Sequence, residues 1–166
     1  ECNERVPYTH GTTSIHIEAF DLITRESYPL FTLPATESAG LIEDAIAAHV
    51  APLVRDGATV QIGAGAMPDA ILGRLTDRND LGIHSELLTD SMVGLMRLGV
   101  VTNAAKVLDR GKSVASFLNG TENMFRFGHR NPAVELHPSS YVNAPQVIGR
   151  NPRVAAINGA IEVDLF

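Results

Sequence analysis

The stretch from residue 59 to residue 86 limits what this chain can fold into more than any other. It opens Thr59-Val60-Gln61-Ile62-Gly63-Ala64-Gly65-Ala66-Met67-Pro68-Asp69-Ala70 and closes on Leu81-Gly82-Ile83-His84-Ser85-Glu86. Val60 and Ile62 alternate with polar neighbours, the pattern of a strand with one buried face. Gly63 and Gly65 permit a tight turn and a close backbone approach. Pro68 suits the first helical position, where its missing N–H would be unpaired in any case. Ile71, Leu72 and Leu75 then share one helical face. Residues 81–85 read as a second strand, with Glu86 at its C-terminal end. Open α/β sheets bind ligands at that edge.

The flanking chain continues the alternation. Residues 1–12 are polar and turn-rich, a loop, and residues 14–18 alternate as a strand. Residues 24–38, with Pro29 and Pro34, read as a connector. A helix pattern starts at Glu37, with Ser38 as its N-cap and Leu41, Ile42, Ala45, Ile46 and Val50 on its apolar face; Asp56-Gly57 ends it. Asp90-Ser91 caps a helix through Met92, Val93, Leu95, Met96 and Leu98, stopped by Gly99. Val100-Val101 is a short strand, and residues 106–112 form a basic patch around a turn at Gly111. Residues 113–118 are a strand, and Thr121 caps a helix that ends at Gly128. Residues 134–136 are a strand, 138–152 are loop, and 154–165 are β-prone throughout. Strand and helix patterns recur at the spacing of βαβ units, so the fold class is α/β. A strand pattern that runs to the last residues reads as a segment of a longer protein.

Bulk properties exclude several classes. The 166 residues are 45% hydrophobic and 19% charged, enough for one domain with a real core. A net charge of −6 argues against a nucleic-acid surface, which needs clustered basic residues. No apolar run approaches the ~20 residues of a membrane span. Cys2 is the single cysteine, so no internal disulfide can form. With a polar N-terminus that shows no signal peptide, the expectation is a cytoplasmic protein. The six histidines are scattered, and no metal site is expected.

Three groups carry candidate chemistry. Glu86, at a strand end beside a glycine turn, can serve as nucleophile or general base. Strand alternation puts His84 on the same side, where an imidazolium would keep the carboxylate ionised. The alternatives are a solvated carboxylate and a satisfied core histidine. In the turn Gly63-Ala64-Gly65-Ala66, small residues expose N–H groups that can hold an oxyanion. The alternative is a plain strand-to-helix turn. A dinucleotide cradle fits poorly, because Pro68 stands where a third glycine belongs and Asp69 would repel a pyrophosphate. Asn143 can donate a hydrogen bond to a substrate oxygen, or close its own turn. Glu162 is a second carboxylate, inside the last strand pattern, where an ion pair or a solvated face is the simpler reading.

Four runs resemble the acetyl-CoA hydrolase/transferase family of CoA-transferases, nearest its 4-hydroxybutyrate CoA-transferase-like branch. They are residues 56–70, residues 81–86, Tyr141-Val142-Asn143-Ala144-Pro145, and residues 157–165 from Ile157-Asn158-Gly159 onward. The resemblance implies a CoA-transferase-type open sheet with flanking helices, truncated here. Residues 1–23 would be the end of an N-terminal domain, 24–38 a connector, and 39–166 the start of the C-terminal catalytic domain. It implies coenzyme A as substrate and covalent thioester, no metal, acyl-CoA and carboxylate partners, and a homo-oligomer for the full-length protein. Glu86 would be the nucleophile. Gly63, Ala64 and Gly65 would line the substrate and CoA site, with the Ala64 N–H on the oxyanion, and Asn143 would contact substrate. The glycine-rich CoA loop that such proteins carry after the Glu162 motif is absent from the sequence. Transfer of CoA between an acyl-CoA and a small carboxylate is the leading expectation. Acyl-CoA hydrolysis and a non-catalytic ligand-binding α/β domain are the alternatives.

Overall fold

The computed structural model describes residues 1–34, 39–160 and 162–165. Strand β1 is His10–Gly11, β2 Thr59–Ile62, β3 Gly82–Ile83, β4 Leu87–Leu88, β5 Ser113–Ala115, β6 Phe117–Leu118, β7 Val134–Leu136 and β8 Val154–Ile157. The helices are α1 Leu41–Val50, α2 Ala66–Gly73, α3 Asp90–Arg97, α4 Glu122–Gly128, α5 Ser139–Val142 and α6 Pro145–Ile148. Among the described residues every strand pairing is parallel, in the orders β1-β7-β5, β3-β2-β8 and β4-β6. A parallel bridge between His84 and Val114 joins the first two groups into one open array.

Parallel strands need crossover connections, and helices supply them, so the middle of the sheet is covered on both faces. Accordingly Val60, Ile62, Leu81, Ile83, Val114 and Val134 are all buried. Of the face expected for α2, Ile71 and Leu72 are buried, as is Leu75 just past the helix end. Met92, Val93 and Leu95 of α3 and Met124 of α4 complete the core.

The seam between β3 and β5 is held by side chains rather than by a full ladder. The Ile83 N–H donates to Asn103 Oδ1 at 2.9 Å, and Asn103 Nδ2 donates to Ser113 Oγ at 3.0 Å. Lys106 Nζ donates to Ile83 O at 3.0 Å and to Lys112 O at 2.7 Å. Two side chains thus satisfy both backbone groups of a buried residue, as burial demands. Gly82 makes room for this arrangement.

Several expectations are corrected. Residues 14–18 form no strand: Ile17–Ala19 is a turn of 3-10 helix, with the His16 side chain accepting from the Glu18 N–H, and Ile15 and Ile17 are exposed. Alternation without a neighbouring strand to pair with does not make a strand. The 1–12 loop instead contributes β1, which pairs with β7. Helix α1 begins at Leu41 with Gly40 as N-cap; the expected start at Glu37 and cap at Ser38 lie outside the described residues. Its expected inner face is largely outward, with Leu41 and Ile42 at 92% and 73% exposure, because α1 packs mainly on α2 through Ala47 and Val50.

Pro68 is the third residue of α2, still within the first turn. Thr89, not Asp90 or Ser91, caps α3, its hydroxyl accepting from the Met92 N–H. Residues 138–152 hold α5 and α6 rather than loop alone, each entered next to a proline, Pro138 and Pro145. Strand β8 stops at Ile157, because its neighbour β2 ends at Ile62, the register partner of Ile157. Residues 158–160 and 162–165 carry no strand, and Ile161 lies outside the described residues.

A Cβ added at Gly82 would sit 2.7 Å from Lys106 Cγ and 2.9 Å from its Cδ, and Lys106 is pinned at its far end. Gly82→Ala should therefore lower stability by about 1–3 kcal/mol in urea unfolding. Gly73→Ala, with nothing within 4 Å of the added methyl, is the control and should not lose stability.

Candidate active site

The turn residues Gly63, Ala64 and Gly65 leave the C-terminal end of β2 and open α2. Gly65 has φ of 123°, a region that favours glycine, and it is the N-cap of α2. The N–H groups of Ala64 and Gly65 donate to no other described residue. Ser85 ties the end of β3 to the end of β2: its hydroxyl donates to Ile62 O at 2.9 Å and accepts from the Ile62 N–H at 3.3 Å. Gly63 and Glu86 are the next residues of the two chains, so turn and carboxylate leave adjacent strand ends at one sheet edge.

Glu86 is exposed, and its carboxylate makes no hydrogen bond or ion pair with a described residue. Its backbone is fixed, with Glu86 O accepting from the N–H groups of Ser116 at 2.8 Å and Phe117 at 3.3 Å. A cavity of about 280 Å³ opens beside the glycine turn, lined by Ala64, Gly65, Asp69, Thr89, Asp90 and Asn119 among others. Glu86 is not in its lining.

Of its two readings, His84 takes that of a buried core histidine, not an imidazolium beside Glu86. The chain bends after Ser85, so His84 is buried while Glu86 faces out. His84 Nε2 lies 2.9 Å from Val142 O, the last residue of α5. Burial pushes the imidazole below its ordinary pKa; the Val142 contact raises it by less, and the Lys106 charge lowers it further. The ring is neutral at pH 7. Asn143, exposed, follows Val142 directly, its own N–H donating to Ser139 O at 2.8 Å. Tyr141 on the same turn packs against His84 and His137, and its hydroxyl donates to Asp109 Oδ2 at 2.9 Å. Burial and that hydrogen bond push the phenol up to about 12. Glu162 is exposed and outside any strand, five residues past Ile157, the register partner of Ile62.

Sequence reasoning missed Lys106, which it placed in a surface basic patch. The side chain is 2% exposed, and burial lowers its pKa to about 8. Asp109 and Glu135 oppose that shift from a distance. Nothing in the local sequence separates Lys106 from the exposed charges that follow it. Ser85 and Asn103 were missed for the same reason, since their partners are remote in the chain. Among the described residues no three His, Cys, Asp or Glu side chains gather as a metal site would need, and no helix is long and apolar enough to cross a membrane.

Comparison with known proteins gives a consistent result. Residues 120–166 match the model of the acetyl-CoA hydrolase/transferase C-terminal domain. The whole chain is 42% identical to a succinyl-CoA:cyclohexane-1-carboxylate CoA transferase of Geobacter metallireducens, and equally to a 4-hydroxybutyrate coenzyme A transferase of Clostridium kluyveri. It spans 38% of the length of each of these curated relatives. Among solved structures, RipA from Yersinia pestis superposes with a TM-score of 0.88 at 43% identity, over 94% of this chain and 36% of that one. A 4-hydroxybutyrate CoA-transferase from Porphyromonas gingivalis superposes with a TM-score of 0.91 at 35% identity, over 98% of this chain and 41% of that one. The fold is therefore the α/β architecture of CoA-transferases. The last 47 residues thus match the acetyl-CoA hydrolase/transferase C-terminal domain, and the whole chain is similar to part of these CoA transferases.

The depressed pKa of Lys106 has a measurable sign. Between about pH 8, where folded Lys106 titrates, and 10.5, its ordinary value, the unfolded chain binds more protons. Stability gained from this group should thus rise with pH across that window, by on the order of 3 kcal/mol, the charged form being the costly one. Comparing urea midpoints of wild type and Lys106→Met from pH 7.5 to 10.5 should show the rise in wild type relative to the variant. Parallel curves would contradict it.

Proposed function

We propose that the full-length protein transfers coenzyme A between an acyl-CoA and a small carboxylate, with Glu86 as the covalent nucleophile. The observation that carries the reading is the position of Glu86: a carboxylate with no partner among the described residues, on a clamped backbone, at the sheet edge shared with the glycine turn. The relatives' names support the same chemistry.

In this scheme the Glu86 carboxylate attacks the thioester carbonyl and CoA leaves as its thiolate, which gives a mixed anhydride. The thiolate then attacks the glutamyl carbonyl, forms an enzyme–CoA thioester and releases the donor's carboxylate. An incoming carboxylate reverses both steps. The thioester's energy is kept throughout, so no nucleotide is consumed. The N–H groups of Ala64 and Gly65, unpaired among the described residues, are the candidates for holding the oxyanion, where a fixed donor is worth roughly 10²–10³ in rate. Gly63 and Gly65 let the backbone approach the substrate, and Asn143 donates to a substrate oxygen. The acyl group and the acceptor belong to the 4-hydroxybutyrate, succinate or acetate class by likeness to the relatives.

Treating the full-length protein with acyl-CoA and then borohydride should reduce a Glu86 thioester to an alcohol, visible by peptide mass spectrometry. Glu86→Gln should abolish both the adduct and turnover. Glu86→Asp should lose most activity despite its charge, because it is one methylene short. An unmodified Glu86 peptide in active enzyme would refute the nucleophile. Exchange of labelled acetate into acetyl-CoA without net hydrolysis separates transfer from the hydrolase reading.

A further inference from the structure

We propose that His84 is a positioning residue that sets the distance between Glu86 and Asn143. This rests on the function proposed above for those two residues. His84 directly follows β3 and stands two residues before Glu86, and its Nε2 meets Val142 O, one residue before Asn143, at 2.9 Å. One imidazole therefore spans two segments 58 residues apart in sequence and leads to a candidate site residue on each side.

Both ends of that link are fixed. On the strand side, the His84 N–H donates to Val60 O at 3.1 Å and the Ser85 N–H to Val114 O at 3.1 Å. On the helix side, Val142 is 1% exposed, and Tyr141 anchors the same turn through Asp109 and ring contact with His84. Helix α5 has only four residues, too few to hold itself without such an anchor. A carbonyl only accepts, so the contact requires a proton on Nε2. His84 Nδ1 is buried and has no hydrogen-bond partner among the described residues. Its bare lone pair is consistent with the neutral Nε2–H tautomer, which makes this contact and no other.

The test uses the full-length protein and a double-mutant cycle. His84→Met removes the donor at similar volume; His84→Gln retains a donor near the Nε2 position. His84→Met should lower kcat/KM for the carboxylate acceptor on the order of tenfold to a hundredfold, mostly through kcat, because it loosens the geometry of the reacting groups. His84→Gln should recover most of that loss. In an Asn143→Ala background, His84→Met should cost less than about threefold, since coupled residues are not additive. Losses that multiply, or His84→Gln no better than His84→Met, would overturn the link.

Should His84→Met fail to fold, nitrogen-15 spectra of the wild-type histidine decide the matter: Nε2–H with bare Nδ1 supports the link, and an Nδ1–H tautomer overturns it. The two proposals fail separately. Absence of the glutamyl adduct in wild type removes the nucleophile and this role with it, whereas a normal adduct with multiplying losses removes the His84 link alone.

Discussion

The structure depends on a seam at which two groups of parallel strands meet with too few backbone bonds between them. Ile83 lies in that seam, buried, with its N–H on Asn103 and its carbonyl on Lys106. Removing either side chain would leave a buried backbone group unpaired, and each such group costs about 1–3 kcal/mol. The arrangement has its own cost, because the Lys106 ammonium is taken out of water without a carboxylate in contact among the described residues. Two carbonyls and a distant pair of acids, Asp109 and Glu135, offset part of it. A neutral amine keeps two N–H donors, so both contacts can outlast loss of the charge.

What the seam holds is the edge that the family likeness singles out. Ser85, three residues beyond Gly82, locks β3 to β2, so the two chains leave the sheet side by side. The glycine turn and Glu86 follow directly. The Glu86 side chain is exposed and has no partner among the described residues, while the backbone that carries it is tied at Glu86 O. An exposed carboxylate on a tied backbone suits the proposed reaction, in which the same group must meet an acyl carbon, then a thiolate, then a second carboxylate.

Much of this was legible in the sequence. The β2–turn–α2–β3 block, the inner face of α2, the Thr121 cap and the C-terminal ends of α3 and α4 are local, set by residues a few positions apart. The failures share a cause in partners far along the chain. Lys106 looks like its exposed neighbours until Ile83, 23 residues away, is seen beside it. The stretch after Ile157 keeps a strand pattern but has no strand left to pair with. His84 and Glu86 obey alternation only until the chain bends at the sheet edge. The position of Glu86 at a strand end was readable from spacing; the nucleophile role proposed for it came from resemblance, since a lone glutamate at a strand end has many ordinary uses.

The rim of β2 and β8 is closed by a reciprocal pair: Gln61 Nε2 donates to Asn158 Oδ1 at 3.1 Å, and Asn158 Nδ2 donates to Gln61 Oε1 at 2.9 Å. Two carboxamides interlock there without any ionisable atom. Such a latch is blind to acidity and almost indifferent to ionic strength, in contrast with the Arg74–Asp44 pair on the helical side. The ends of β2 and β8 consequently stay joined across solution conditions that would weaken the charged contacts elsewhere on the surface.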